Sequence, residues 1–410
     1  MALPGFRDFY PDDCAFRNAI FSRWRDVARR YGFVEYDGPP LEPLDLFTKK
    51  SGDEIVTQLY HFKDKGDRDV ALRPEMTPTL ARLVTARHKD FKKPLKWFSI
   101  PQVYRYERPQ KGRGREHYQF NCDIIGEPGL EADVELIALA IDTLRAFGLT
   151  EKDFVVRLSD RRFWTDFMNA HGVPEDRRYA FIQAVDKSER EPREKTAEKL
   201  GPLAEEVFTV LERGAASARL DTVEAGLRQR GLQDYVKRDF TVVRGLAYYT
   251  GVVFEVFDRT GQFRAIAGGG RYDNLLKSLG DVDLPALGFG LGDMVLGDLL
   301  KEKQWKPGEL KKLKVYLIIA DEAFRSHAMG VLRHIRETTE FFVEYSFVPA
   351  KVGKQFQAAE ERGCAFAVLV DAQIQNAIVQ VKDLGARQQI ESKVDDLKAT
   401  LRHLKDNPSS

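Results

Sequence analysis

Apolar positions recur at helical spacing between residues 13 and 31, where Phe16, Ile20, Trp24, Val27 and Ala28 share one face and Gly32 marks a stop. FVEYDGPPLEPLDLF reads as a short strand broken by Pro39 and Pro40. DVALRP, KWFSIPQVYRYER and HYQFNCDIIGE are rich in aromatic and β-branched residues, which predicts strands. Asp133 to Phe147 predicts a helix with Leu136, Ala140, Ile141 and Leu144 on its apolar face. From about residue 170 to 235 the chain is charged, Ala-rich and without strand signals, as expected of a helical insertion. Strands resume at DFTVVRGLAYYTGVVFEVFD and FRAIAGG, and KEKQWKPGELKK reads as a charged linker bearing Pro307 and Gly308. Beyond it, KVYLIIA, FFVEYSF, CAFAVLV and NAIVQVKDL predict strands, with helices between the first three and a last helix from Glu391. That order implies a separate α/β domain of about 100 residues.

Composition narrows the class. The 410 residues imply two to four domains at roughly 100–200 residues each. With 43% hydrophobic and 31% charged residues the balance is that of a globular protein. Cys14, Cys122 and Cys364 are odd in number, far apart and without metal-ligand spacing. They exclude a disulfide framework and a zinc site, and a reducing compartment is expected. No apolar stretch approaches the ~18 residues of a membrane span, and MALPGFRDFYPDD holds no signal-peptide core. The expected location is the cytoplasm, with no membrane partner.

Charge is unevenly placed. The chain is close to neutral, yet Arg87 to Arg115 carries ten Lys/Arg against Asp90 and Glu107. A basic run of this kind is either a solvated face or a phosphate-binding surface. No GxxxxGK[ST] is present, so ATP binding does not use a P-loop, and GFGLGD (288–293) lacks a full dinucleotide fingerprint.

Four segments place charged residues inside apolar strands: LRPEMTPTLARL, QVYRYERPQKGRGREHYQFNCDIIG, VRGLAYYTGVVFEVFD and AIAGGGRYDNLL. Arg73, Glu75, Arg105, Glu107, Asp123 and Arg244 are costly there unless partnered. Each alone is explained by a structural ion pair; six together suggest the floor of a ligand site. His117 reads as ordinary loop polarity and is given no catalytic role.

These same segments resemble the histidyl-tRNA synthetase family, of the class II aminoacyl-tRNA synthetases. VRGLAYYTGVVFE and AGGGRYDNL resemble its two signature peptides. RYERPQKGRGREHYQF resembles the second class II motif, and YGFVEYDGPPLE, ending at Pro39, the first. VGKQFQAAEERGCAFAVLV and VQVKDL resemble the family's anticodon-binding domain. The fold implied is α+β: an antiparallel-sheet catalytic domain over 1–300 with a helical insertion at about 170–235, a linker over 301–313, and an anticodon-binding α/β domain over 314–410.

The resemblance implies an ATP-dependent ligase that activates L-histidine to histidyl-adenylate and transfers it to the 3′ end of tRNA-His. It implies ATP as a substrate with Mg2+, and a homodimer. Arg105 and Arg244 are then the catalytic pair at the α-phosphate, with Glu107 near the adenine amino group and Arg113 near the outer phosphates. Glu75, Thr77 and Gln119 match residues holding the α-amino group. Asp123 and Tyr249 match those reading the imidazole, and Tyr248 and Tyr272 line the pocket. Gly268, Gly269 and Gly270 are expected to let backbone approach the ligand.

Three departures from the family pattern stand out. Val295 occupies the position of the third-motif arginine that contacts the γ-phosphate, and Met294 that of the usual acid. Ala247 stands where Asp is frequent, and Asp123 is one methylene shorter than the usual Glu. Arg271 or Arg113 is the expected substitute for the missing arginine. The alternative reading is a non-catalytic, histidine-sensing regulatory paralogue of histidine biosynthesis. Such paralogues usually lack the C-terminal domain this chain keeps.

Overall fold

The computed structural model of the chain describes residues 2–48, 57–243, 248–307 and 314–406. Two compact units, Met1–Pro307 and Gly308–Ser410, divide it.

The first unit is built on strands β1 (Val34–Glu35), β2 (Leu41–Pro43), β3 (Tyr60–Lys63), β4 (Asp69–Leu72), β5 (Leu95–Ser99), β6 (Gln102–Tyr104), β7 (Glu116–Ile125), β8 (Phe154–Asp160), β9 (Val236–Arg238), β10 (Val252–Asp258), β11 (Ala267–Arg271) and β12 (Ala286–Gly292). The main sheet runs β1-β5-β7-β12-β11-β10-β8-β9, and β6 pairs with β7 off that path. Its pairings are antiparallel except at the two ends, where β1–β5 and β8–β9 are parallel. A small second sheet has the order β2-β4-β3.

The helix Pro11–Arg30 covers one face of this sheet. Proline opens it, Asp12 and Asp13 lie in its first turn and Arg29 and Arg30 in its last, all matching the helix dipole. Gly32, at φ +77°, takes the left-handed geometry that ends it. Ile20, Phe21, Trp24, Val27 and Ala28 are buried, and Trp24 stacks on Phe120 of β7 at 5.4 Å. Leu130–Arg145 packs beside it, apolar through Leu136, Ile137, Ala140, Ile141 and Leu144.

Five helices, Arg161–Ala170, Glu175–Lys187, Arg193–Leu200, Ala204–Arg213 and Ala218–Gln229, lie between β8 and β9 in the chain. Asp160 caps the first through the Arg162 amide, and Ser217 caps the last through the Leu220 amide. Arg219 donates to the buried Asp160 at 2.8 Å, which ties the two ends of the insertion together.

Two expectations shift in this unit. LRPEMTPTLARL is strand only to Leu72; Thr77–Arg87 is helix, started by Pro78. The linker expected from residue 301 begins as structure: helix Asp293–Glu302 extends into it, and Trp305 packs edge-on against Phe16 at 5.6 Å and Phe147 at 5.3 Å. Residues 308–313 of that linker lie outside the described residues.

The second unit carries β13 (Lys314–Ile319), β14 (Phe342–Tyr345), β15 (Phe366–Val370), β16 (Ile378–Asp383) and β17 (Gln389–Lys393) in the order β14-β13-β15-β16-β17. The first three are parallel and the rest antiparallel. The helix expected from Glu391 starts instead at Leu397. QIESK alternates as a strand and pairs with β16, whereas Leu397, Leu401 and Leu404 supply the helical spacing that reaches the core.

Candidate active site

One strand organises the site. On β7, Gln119, Asn121 and Asp123 alternate onto one face of the sheet. Gln119 and Asp123 are four residues, hence about 13 Å, apart along that face. β12 runs antiparallel beside it, with Asp123 opposite Gly288 and Gln119 opposite Gly292.

The Gln119 end opens into a cleft of about 550 Å³. Arg105, Glu107 and Arg113 line it, as do His117, Glu255 and Arg264. Arg105 follows β6 and is held by its Nε, which donates to the Pro74 carbonyl at 2.9 Å. Glu107 is buried and ion-paired with Arg113 at 2.5 Å. The loop from Glu107 to Arg113 is closed by the backbone pairing of Gln110 with Arg113 at 2.9 Å in both directions. His117 is pushed down to about 3 by burial and by the guanidiniums of Arg105, Arg7 and Arg113. It is therefore neutral through the physiological range and cannot act there as a charged group.

The Asp123 end is a buried cluster of carboxylates and phenols. Tyr272 donates a short hydrogen bond to Asp123. Tyr248 donates to Glu75 at 3.0 Å. The rings of Tyr248, Tyr249 and Tyr272 are mutual neighbours, with centroids 5.0 to 6.4 Å apart. Thr77 opens the next helix two residues after Glu75. Burial raises Asp123 to about 7 despite the hydrogen bond from Tyr272, which opposes the shift. Burial, together with Asp123 and Glu75, lifts the phenols of Tyr272 and Tyr248 well above their ordinary value, so both act as donors.

Glycines on β12 shape both ends. A Cβ on Gly288 would lie 2.0 Å from Oδ1 of Asp123, and one on Gly290 2.5 Å from Nε2 of Gln119. The expected role of Gly269 and Gly270 is different in kind. A Cβ there would meet the Gly288 carbonyl at 2.5 Å or the Val252 carbonyl at 2.7 Å, so these two serve close strand packing. Gly268 does line the cleft.

The structure thus gathers Arg105, Glu107, Arg113 and Gln119 at one end of β7 and Glu75, Asp123, Tyr248, Tyr249 and Tyr272 at the other. Arg244 lies outside the described residues, as does Ala247. Arg73 is a structural tie: its guanidinium donates to the Gly38 and Gln102 carbonyls at 2.7 and 3.0 Å and pairs with Asp37 at 3.1 Å. Arg271 cannot substitute for a third-motif arginine. It is buried against Asp133 at 2.5 Å and donates to the carbonyls of Glu127 and Gly129. His117 lies on β7 in the cleft wall, not in a surface loop.

Glu255, Arg190 and Arg264 also line the cleft, and sequence reasoning did not select them. Glu255 had a readable signal, a lone charge in the apolar run VVFEVFD. Arg190 had none, because it sits among other polar residues, and Arg264 stands at the head of the predicted strand FRAIAGG, where a terminal charge is ordinary.

The return strand of the second motif and the third-motif stretch are tied together by the N-terminal segment. Arg7 donates to Glu116 at 2.8 Å and to Asp293 at 2.9 Å, both buried, and Asp293 accepts the Tyr118 amide at 2.9 Å. Burial raises Asp293 above the usual carboxylate range, with Arg7 opposing the shift.

Comparison with known proteins gives a consistent picture. A family model described as histidyl-tRNA synthetase matches residues 5–293, and one described as an anticodon binding domain matches residues 314–404. A protein of Opitutus terrae named "Histidine--tRNA ligase" is 45% identical, over 98% of each chain. One of Thermoplasma volcanium with the same name is 39% identical over 94% of this chain and 95% of its own. The crystal structure of histidyl-tRNA synthetase from Nostoc sp. PCC 7120 has the same fold, with a TM-score of 0.75 and 21% identity over 98% of this chain and 99% of that one.

Proposed function

The chain belongs to the histidyl-tRNA synthetase family, and we propose how its residues divide the work of joining L-histidine to tRNA-His at the expense of ATP. The relatives match over the whole chain, including the second unit, which favours the ligase over a regulatory paralogue. The observation that carries the assignment is the shared strand β7. It presents a buried carboxylate-and-phenol cluster at Asp123 and an arginine-lined cleft at Gln119.

In the first step a carboxylate oxygen of histidine attacks the α-phosphorus of ATP. The bond to the bridging oxygen breaks, and pyrophosphate leaves with that electron pair. In the second, the terminal ribose hydroxyl of the tRNA attacks the acyl carbon and AMP leaves. Both steps depend on positioning and on charge stabilisation at phosphorus. Arg105 faces the α-phosphate and Arg244 is assigned to its other side. Glu107 takes the adenine amino group, and Arg113, ion-paired to Glu107, closes the second-motif loop over it rather than reaching the outer phosphates. Glu75 and Thr77 hold the ammonium group from the Asp123 end, and the Gln119 side chain is assigned to reach it from the cleft end. Asp123 accepts from one imidazole nitrogen and Tyr249 meets the other, with Tyr248 and Tyr272 fixing the carboxylates. A pocket built on paired hydrogen bonds rejects analogues that leave them unmade.

Mg2+ fits as a companion of ATP. Among the described residues no three His, Cys, Asp or Glu form a ligand set. Glu255 and Glu107 are carboxylates on the cleft wall, so the ion would be held chiefly by the triphosphate, where it supplies countercharge.

The working form is assigned as a homodimer. Exposed Val34 and Leu41 lie on β1 and β2, where the first motif runs, and exposed Tyr10 precedes the helix Pro11–Arg30 that leads into it. The second unit is assigned to the anticodon. No helix among the described residues is long and apolar enough to cross a membrane, and the free cysteines suit the cytoplasm. The test is ATP–pyrophosphate exchange with each of the twenty amino acids: histidine alone should support it. Exchange with another amino acid, or none with histidine, would sink the assignment.

A further inference from the structure

The cleft contains a valine where a phosphate-binding arginine is expected. Val295 sits in the first turn of helix Asp293–Glu302, on the cleft wall. Its Cγ2 lies under the loop glycine Gly112: a Cβ on that glycine would be only 3.2 Å away. The valine is thus an apolar neighbour of the loop, with no group to offer a phosphate.

Positive charge reaches the same place from another direction. The segment before β11 passes beside the start of that helix, because the Gly292 amide donates to the Ile266 carbonyl at 3.3 Å. Two residues upstream of Ile266 is Arg264, whose side chain lines the cleft. Its Nη2 donates to Oε1 of Gln110, in the second-motif loop, at 2.9 Å. It makes no ion pair among the described residues. The two arginines expected to replace the third-motif residue are instead engaged, Arg113 by Glu107 and Arg271 by Asp133. Arg190 also lines the cleft and, like Arg264, is exposed, but its guanidinium makes no hydrogen bond among the described residues. Of Arg113, Arg190, Arg264 and Arg271, Arg264 is the one that, among the described residues, combines a charge without an ion pair and a partner that aims it.

We propose that Arg264 is the residue that binds the β- and γ-phosphates of ATP in place of the third-motif arginine, and that it carries the departing pyrophosphate. A guanidinium offers paired donors to phosphate oxygens, and the charge that builds on the leaving oxygens as the α–β bridge breaks is what it meets. Gln110 makes the arrangement conditional on the loop: the loop that covers ATP also orients the arginine.

The inference rests on the ligase reading above, so the wild type is measured first. Histidine-dependent exchange by the wild type tests that reading; the variants test only Arg264. In Arg264→Ala the Michaelis constants for ATP and for inorganic pyrophosphate should rise together by about 10- to 100-fold, while the Michaelis constant for histidine and inhibition by AMP stay as in the wild type. Unchanged constants for ATP and pyrophosphate would overturn the proposal. So would an equal weakening of AMP, which places Arg264 at the adenosine or in the support of the cleft. If Arg264→Ala does not fold, Arg264→Gln, which keeps polar length beside Gln110, is held to the same criteria.

Discussion

The phenol of Tyr272 donates to the carboxylate of Asp123 across 149 residues of sequence, from just after β11 to the far end of β7. The bond sits where both groups are buried, so the carboxylate is held ready as an acceptor without being solvated.

That burial predicts a pH dependence. Asp123 titrates near 7 in the folded protein, against an ordinary value of about 4. A carboxyl raised on folding binds its proton more tightly in the native state. Its contribution is fully present below the unfolded value and is lost as pH rises through 7. Asp123→Asn should therefore stabilise the ligand-free protein at pH 8, by an amount on the order of a few kcal/mol, and by little at pH 4. The same variant should lose histidine activation. Urea unfolding at the two pH values, with exchange assays alongside, checks both halves; a gain larger at pH 4 than at pH 8 would contradict the assignment.

Gly290→Ala separates site from fold. The added methyl meets the end of the Gln119 side chain, which can swing away, rather than backbone. The expected outcome is a folded protein with a Michaelis constant for histidine raised about tenfold or more, from the loss of one charge-assisted hydrogen bond. Thermal unfolding and exchange on the purified variant decide it. An unaltered constant means Gln119 does not hold the ammonium group.

Val295→Arg tests whether the valine is a deficiency. With Val295 Cγ2 this close to the Gly112 position, a longer side chain there crowds the second-motif loop. The Michaelis constant for ATP should rise. A clear fall would show that the position still wants an arginine and that the loop yields to it.

Arg7→Ala leaves Glu116 and Asp293 buried without their cation. Removing one member of a buried charged group costs about 3 kcal/mol or more. Lowering the pH toward 5 should recover part of the loss, because the stranded carboxyls can then protonate. A denaturation series at pH 5 and 7.5 measures this, and an equal loss at both values would remove the electrostatic explanation.

Deleting the second unit should spare histidine activation and raise the tRNA concentration needed for charging. Each unit has its own core, and the named ATP and histidine residues all precede residue 275. Exchange and charging assayed on the same truncated protein distinguish the outcomes. Equal losses in both would mean a structural role, and the anticodon assignment would be withdrawn.

Much of this was legible from residue order. The helix that buries Trp24 announces itself by spacing, and charged residues inside apolar strands pointed to Arg105, Glu107 and Asp123. The same rule overreached at Arg73, since a strand charge that ties down a neighbouring loop looks identical in one dimension. Arg264 was not legible: a charge at the head of the predicted strand FRAIAGG is ordinary, and only the pairing of Ile266 with Gly292 brings its segment to the cleft that Val295 also lines. Nor could sequence tell that Gly288 and Gly290 leave room for Asp123 and Gln119 while Gly269 and Gly270 leave room for strands. That distinction belongs to register.

The strap from Arg7 to Asp293 spans 286 residues, and it sets a constraint on the order in which the protein can be made. On a ribosome, Arg7 emerges among the first residues and its second partner only when the first unit is nearly complete. Until then β12, the neighbour that Asp123 and Gln119 lean against, is still unsynthesised. The nascent chain can form the insertion's helices locally, but the catalytic sheet waits for its last strand. Long-range closure of this kind is slow relative to local helix formation. Synthesis stalled or cut short before residue 293 would release a chain with a folded periphery and no working centre.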